Sequence, residues 1–206
     1  MTMAQCCENL CEIELLGRRQ RHTLVAVLAI NAVMFVTIFI AAIHASSSAL
    51  LSDSLDNLGD ALTYGLSLYA VGRGDQTKGS VALFKGWLIL LAALGVLVQV
   101  GYKVLHPEVP LFEIMGIASV AGLAANGVCL LLLMRHRHED VNMSSVWECS
   151  RNDVAGNLAA LLAAGAVWAS TSQWPDVLIG VLLASVLIRS AGRVIQQALA
   201  QRPVLR

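Results

Sequence analysis

The chain has 206 residues, 57% hydrophobic and 14% charged, with 14 Lys+Arg balanced by 14 Asp+Glu. Soluble domains carry about 25% charged residues, and one of this size could not cover a wet surface with so few, so an ordinary soluble enzyme is disfavoured. A net charge of zero gives no general field for nucleic acid, which argues against that partner.

In chain order, residues 1–22 read as a cytoplasmic tail containing CCENLCEIE. No cleavable signal peptide is expected, because this acidic, Cys-rich start precedes the basic cluster and no short apolar region with a cleavage site follows. Six stretches then meet the roughly 20-residue requirement of a transmembrane helix. They are Thr23–Ala45, Ala49–Gly72, Val81–Leu105, Phe112–Met134, Ser144–Ser170 and Trp174–Ile195. Together they make residues 23–195 one six-helix membrane domain, with 196–206 a short cytoplasmic tail. The expected fold class is an all-α polytopic membrane protein with six transmembrane helices.

Positive residues set orientation. Arg18, Arg19 and Arg21 precede the first span; Arg73, Lys78 and Lys85 lie around the second connection. Arg135 and Arg137 lie in the fourth, Arg151 near the start of span five, and Arg189, Arg193, Arg202 and Arg206 end the chain. Only Lys103 falls on the other side. Both termini are therefore expected in the cytoplasm, and a bacterial inner membrane fits the compact chain. Cys6, Cys7 and Cys11 would face a reducing compartment, so structural disulfides are not expected. Cys129 reads as a core residue, and His44 and His106 as interfacial residues outside.

Charged residues within spans are costly and usually face the bundle interior or a water-filled path. Span two contains Asp53, Asp56 and Asp60; span five contains Glu148, Cys149, Arg151 and Asp153. Asp56 and Asp60 are four residues apart, on one helix face and about 6 Å apart along the axis. Cys149 and Asp153 repeat that spacing. Two helices offering two ligands each can surround one ion with four donors, the tetrahedral preference of zinc. A divalent cation would also relieve the repulsion of close carboxylates, which otherwise take up protons. The same residues admit a narrower site of Asp56, Asp60, Asp153 and a water, with Cys149 a small apolar residue. Asp53 is offset from this face and near the outer end, as a helix-start or gating residue. Glu148 and Arg151 would pair near the cytoplasmic end. Asp153 is expected about one turn, ~5 Å, cytoplasmic of Asp60. Gly59, Gly65, Gly156 and Gly165 are candidates for close helix contacts.

SSSALLSDSLDNLGDAL resembles the second-helix signature of the cation diffusion facilitator family of divalent-metal/proton antiporters. LAINAVMFVTIFIAAIHA is similar to that family's first helix, Asn126 to a recurring polar position of the fourth, Asn152–Asn157 to the fifth, and WPDVLIGVLLA to the start of the sixth. The resemblance runs in register over 23–195. It implies that Asp56 and Asp60 are the ligands of helix two and Asp153 the second ligand of helix five. Cys149 stands where the family usually has His, a change toward softer metals such as cadmium. Family members usually continue into a cytoplasmic dimerisation domain, whereas here about eleven residues follow Ile195. The resemblance therefore implies a short member whose homodimer, where it forms, uses transmembrane helices.

Cys6, Cys7 and Cys11 are accessory metal donors or simply a tail; His136 and His138 in MRHRHED are accessory donors or a solvated loop. No nucleotide loop, zinc-protease helix motif or nucleophile elbow is present in the sequence. The expected function is export of a divalent transition metal, zinc first and cadmium next, in exchange for protons. The ion would be cargo rather than a catalytic cofactor, and the chain no enzyme. Two alternatives remain at this stage: a membrane metal sensor or scaffold that does not transport, and an organic-cation/proton exporter.

Overall fold

The structure, a computed structural model, describes the backbone of residues 3–70, 75–134 and 141–200, with side chains over most of 21–68, 83–134 and 153–199. Among the described residues there are six helices and no strand. They are α1 (Met3–Ala45), α2 (Ser48–Ala70), α3 (Asp75–Leu105), α4 (Phe112–Met134), α5 (Val141–Ser170) and α6 (Trp174–Ala200). The expected spans fall on these helices. α1, however, begins at Met3 and takes in most of the segment read as a tail. Arg21–Ala45 is the part of it apolar enough to cross a membrane. Five of the helices meet that standard; α2 has the length but carries Asp53, Asp56 and Asp60. The fold is that of a polytopic all-α membrane protein.

The turns explain where the helices stop. α1 ends in a Schellman-type cap: Ser46 takes a left-handed φ of 50° and Ser47 N donates to Ala42 O at 3.0 Å. Ser47 then caps α2, its Oγ accepting from Leu50 N at 3.1 Å. Two residues thus reverse the chain. At the end of α5, Thr171 has φ 49° and its N donates to Val167 O at 2.8 Å, the simpler left-handed cap. Pro175 falls in the first turn of α6, where no intrahelical donor is lost. Leu111 N donates to Ala45 O at 3.1 Å, which ties the start of α4 to the end of α1.

α1, α2, α5 and α4 form a ring in which each packs on the next, and α3 and α6 pair with one another against α2. The main apolar core lies toward the α1–α2 turn and is rich in alanine: Ala42, Ala45, Ala49, Ala118, Ala160, Ala163, Ala164 and Ala184 are buried there. Small side chains let helices approach without a large hydrophobic term, which lipid would not supply. The outside is the apolar side, with Val98 and Ile117 each 74% exposed. A surface of that kind belongs against acyl chains. Exposed Trp168 and Trp174 flank the α5–α6 turn, the interfacial place of tryptophan.

The close contacts fall at other glycines than those expected. A Cβ on Gly59, Gly65 or Gly156 would meet its nearest neighbour at 3.5 Å or more, and on Gly165 nothing within 4 Å. Gly122 and Gly180 are the tight ones. A Cβ on Gly180 would lie 2.8 Å from Ser48 Cβ, and one on Gly122 would strike Asn157 Oδ1.

Candidate metal centre

The site begins with helix spacing. Asp53, Asp56 and Asp60 repeat every three or four residues and so share one side of α2. That side meets α5 and α6. Asp53, Asp56, Asp60 and Asp153 line a single cavity of about 430 Å³, whose other walls are Ala155, Gly156 and Ala159 of α5 and Leu182, Leu183, Val186, Leu187, Ser190 and Arg193 of α6. Arg193 is exposed, so the cavity reaches the surface near the C-terminal end of α6.

The expected offset in depth does not keep α2 and α5 apart. The Asp153 and Asp56 side chains, from α5 and α2, come close enough to interact. Two carboxyl groups in such contact need a proton or a cation between them, since bare like charges repel. Asp60 is held differently: Tyr64 Oη donates to its Oδ2 at 2.8 Å. Tyr64 is itself buried among Leu24, Val27, Cys129 and Leu133. This orienting phenol, four residues after Asp60, is a partner that the sequence reading missed although the spacing was visible.

Asp53 departs from its expected role. It is neither offset from the cavity nor at the start of α2. It is 3% exposed, lines the same cavity, and faces α5, where a Cβ on Gly156 would come within 3.7 Å of its Oδ1. Capping of α2 falls to Ser47 and to a residue of another helix, described below.

Among the described residues no three His, Cys, Asp or Glu side chains converge closely enough to hold one ion. Cys149, the fourth expected donor, lies on α5 with its side chain outside the described residues, as do the Glu148 and Arg151 side chains. The accessory candidates Cys6, Cys7, Cys11, His136 and His138 also fall outside them. Cys129 is fully buried and accepts a hydrogen bond from Asn31 Nδ2 at 3.9 Å. His44 and His106 are exposed at the expected outer end.

That end of the bundle is closed by a network absent from the sequence reading. Asp176, wholly buried on α6, accepts from Ser47 Oγ at 2.5 Å, Ser48 N at 2.8 Å, Ala49 N at 3.1 Å and Lys103 Nζ at 2.7 Å. Lys103 Nζ also donates to Ser46 O at 2.6 Å. Gln173 adds a bond from Nε2 to Lys103 O at 3.3 Å and accepts Glu108 N at 2.9 Å. One carboxylate thus caps the N-terminus of α2 from α6 and neutralises a lysine of α3. The signal was Lys103 itself, a lone cation at the outer end of an apolar span.

Residues 24–201 match the family model of the cation efflux transmembrane domain. No curated protein matches the chain. With nearly the whole described bundle inside the matched range, the chain belongs to the cation diffusion facilitator family, multi-pass membrane proteins that carry metal cations out.

Proposed function

We propose that this chain exports divalent transition-metal cations from the cytoplasm in exchange for protons, zinc first and cadmium next. One observation carries the reading: Asp56 and Asp153, from two different helices, meet in a cavity also lined by Asp53 and Asp60. Such a group holds either protons or a cation. Occupancy by one displaces the other, which is the chemical core of an exchanger.

The ligands proposed for the transported ion are Asp56, Asp60, Cys149 and Asp153. Carboxylate oxygens and a thiolate suit zinc, and the thiolate favours cadmium. Charge asymmetry supports placing the Arg193 end of the cavity in the cytoplasm. Metal then arrives past Arg193, takes the carboxylates and the thiol, and drives off their protons. In the alternate state protons return from the far side and release the ion. Rocking of helices around a fixed site near mid-membrane is how secondary transporters reach both faces.

Reconstituted protein in vesicles with an imposed proton gradient tests the proposal. Zinc and cadmium uptake that collapses with the gradient, and is lost in Asp56→Ala, Asp60→Ala and Asp153→Ala, is the expected result. Binding of both metals with no gradient-driven uptake would make the chain a sensor or scaffold. Efflux of organic cations, abolished by Asp60→Ala without change in metal tolerance, would favour the organic-cation reading.

A further inference from the structure

The outward face of α6 changes character along its length. Leu178, Leu182 and Val186 stand one above the other on it, each more than half exposed. The next residues on that face are Arg189, Arg193 and Gln196, all exposed, and with Gly192 they line a shallow notch. Gly192 makes the room, since a Cβ there would meet nothing within 4 Å. The two guanidinium groups start one helical turn apart on neighbouring positions of the same face. Among the described residues neither has an ion-pair or hydrogen-bond partner.

Their depth says what should lie against them. At ~1.5 Å per residue, α6 rises about 22 Å from the exposed Trp174 to Arg189 and about 28 Å to Arg193. The hydrocarbon of a bilayer is about 30 Å thick. With Trp174 at one interface, Arg193 reaches the other, and Arg189 starts one turn inside it on a face that lipid covers. A bare guanidinium at that depth is costly. Snorkelling brings both heads to the level of the lipid phosphates. Phosphate is the matching anion, because the guanidinium fork binds two of its oxygens at once, and the Gln196 amide adds a further donor. Soluble phosphate would have to leave water for this face, whereas a lipid phosphate already sits at it. A two-fold contact centred here would set the arginines of both copies against each other.

We propose that the α6 notch binds the phosphate of an anionic phospholipid, and that this lipid governs entry to the acidic cavity. The link is Arg193, which lines both the notch and the cavity. A positive side chain at the mouth opposes an arriving divalent cation. A phosphate held between Arg189 and Arg193 cancels that charge. Phosphatidylcholine, whose own choline balances its phosphate, is the poorer fit. The entry role rests on the export reading above; the lipid site does not.

Native mass spectrometry of the full chain, extracted from bilayers of phosphatidylglycerol and phosphatidylcholine in equal parts, counts the bound lipid. The wild type should keep one more phosphatidylglycerol than Arg189→Gln, and one more than Gly192→Leu, in which a side chain fills the notch while both arginines stay. Arg189 is exposed and a Cβ on Gly192 meets no neighbour, so both variants should fold. The same count in all three proteins overturns the site, and so does a place filled equally by phosphatidylcholine. Displacement of the lipid by inorganic phosphate would make the notch a site for a soluble anion. A wild-type dimer that Arg189→Gln separates would make it a contact between copies. Either result overturns the lipid. In vesicles, exchanging phosphatidylglycerol for phosphatidylcholine should slow zinc uptake by the wild type several-fold more than uptake by Arg193→Gln, which has no charge at the mouth to cancel. Equal slowing overturns the entry role. A wild type that moves no zinc in either lipid refutes the export reading instead, and the lipid count still decides the site.

Discussion

Lys103 Nζ lies 2.7 Å from Asp176 Oδ2, and the two side chains are 5% and 0% exposed. This pair joins the end of α3 to the beginnings of α2 and α6, at the end of the bundle away from the cavity mouth. Removing one member of a buried pair leaves the other charge uncompensated, a loss of about 3–5 kcal/mol. Lys103→Met and Asp176→Leu should each lower the unfolding temperature of the purified protein substantially. The double variant, with neither charge of the pair left, should lose less than the sum of the two. Strict additivity in thermal unfolding would show that the charges do not act as a pair.

The Tyr64–Asp60 contact yields a second expectation. Tyr64→Phe keeps the ring that fills the cluster of Leu24, Val27, Cys129 and Leu133 and removes only the hydroxyl that orients Asp60. A hydrogen bond to a charged group contributes about 1.5 kcal/mol or more, so the apparent KM for zinc should rise about tenfold or more. The maximal rate should change much less, as expected for a residue that positions a ligand. An unchanged KM in vesicle flux assays would leave Tyr64 a core residue and nothing else.

Much of the bundle was legible because apolar runs of the right length end at strong punctuation. Phe112–Met134 was read to the residue, bounded by Pro107 and Pro110 on one side and Arg135 on the other. Asp56, Asp60 and Asp153 were conspicuous because a carboxylate inside an apolar span has few bland explanations. What escaped were relations between distant positions. Lys103 and Asp176 are 73 residues apart, and helical periodicity says nothing about which helix faces which. The glycines failed for the same reason. Gly122 differs from Gly165 in having Asn157 and Ile38 opposite it, a fact of packing rather than of local sequence. Asp53, three residues before Asp56, looks offset from the four-residue pair in the sequence, but α6 closes the cavity over all three.

That contrast between glycines is itself testable. Gly122→Ala puts a methyl where Asn157 Oδ1 stands, and Ile38 Cδ1 is only 3.2 Å from the same point. Overpacking of this kind costs about 1–3 kcal/mol. Gly165→Ala meets nothing within 4 Å and should be neutral or stabilising, since alanine is the better helix former by about 1 kcal/mol. Pairing Gly122→Ala with Asn157→Ala should recover part of the lost stability, because the second change removes the amide that the methyl strikes. Equal unfolding temperatures for Gly122→Ala and Gly165→Ala would show that α4 and α5 can part without penalty.

Metal affinity should rise with pH, and the slope reports which ligands release protons. A free thiol has a reference value near 8.5, so between pH 6 and 8 a cysteine that becomes a ligand must give up its proton to the metal. Each proton displaced changes the apparent affinity tenfold per pH unit. If Cys149 binds the ion, Cys149→Ser should reduce the slope of log affinity against pH by about one for zinc and for cadmium. Cadmium should lose more affinity than zinc, because the softer ion depends more on the thiolate. Asp56→Asn and Asp153→Asn act differently, since each removes a carboxylate from the contact that the cation would replace. They should lower affinity at every pH, and abolish whatever part of the slope comes from the proton shared between the two groups. Equilibrium dialysis of the purified protein measures all of these. Identical slopes for the wild type and Cys149→Ser would remove Cys149 from the coordination shell and leave the ion to the carboxylates and water.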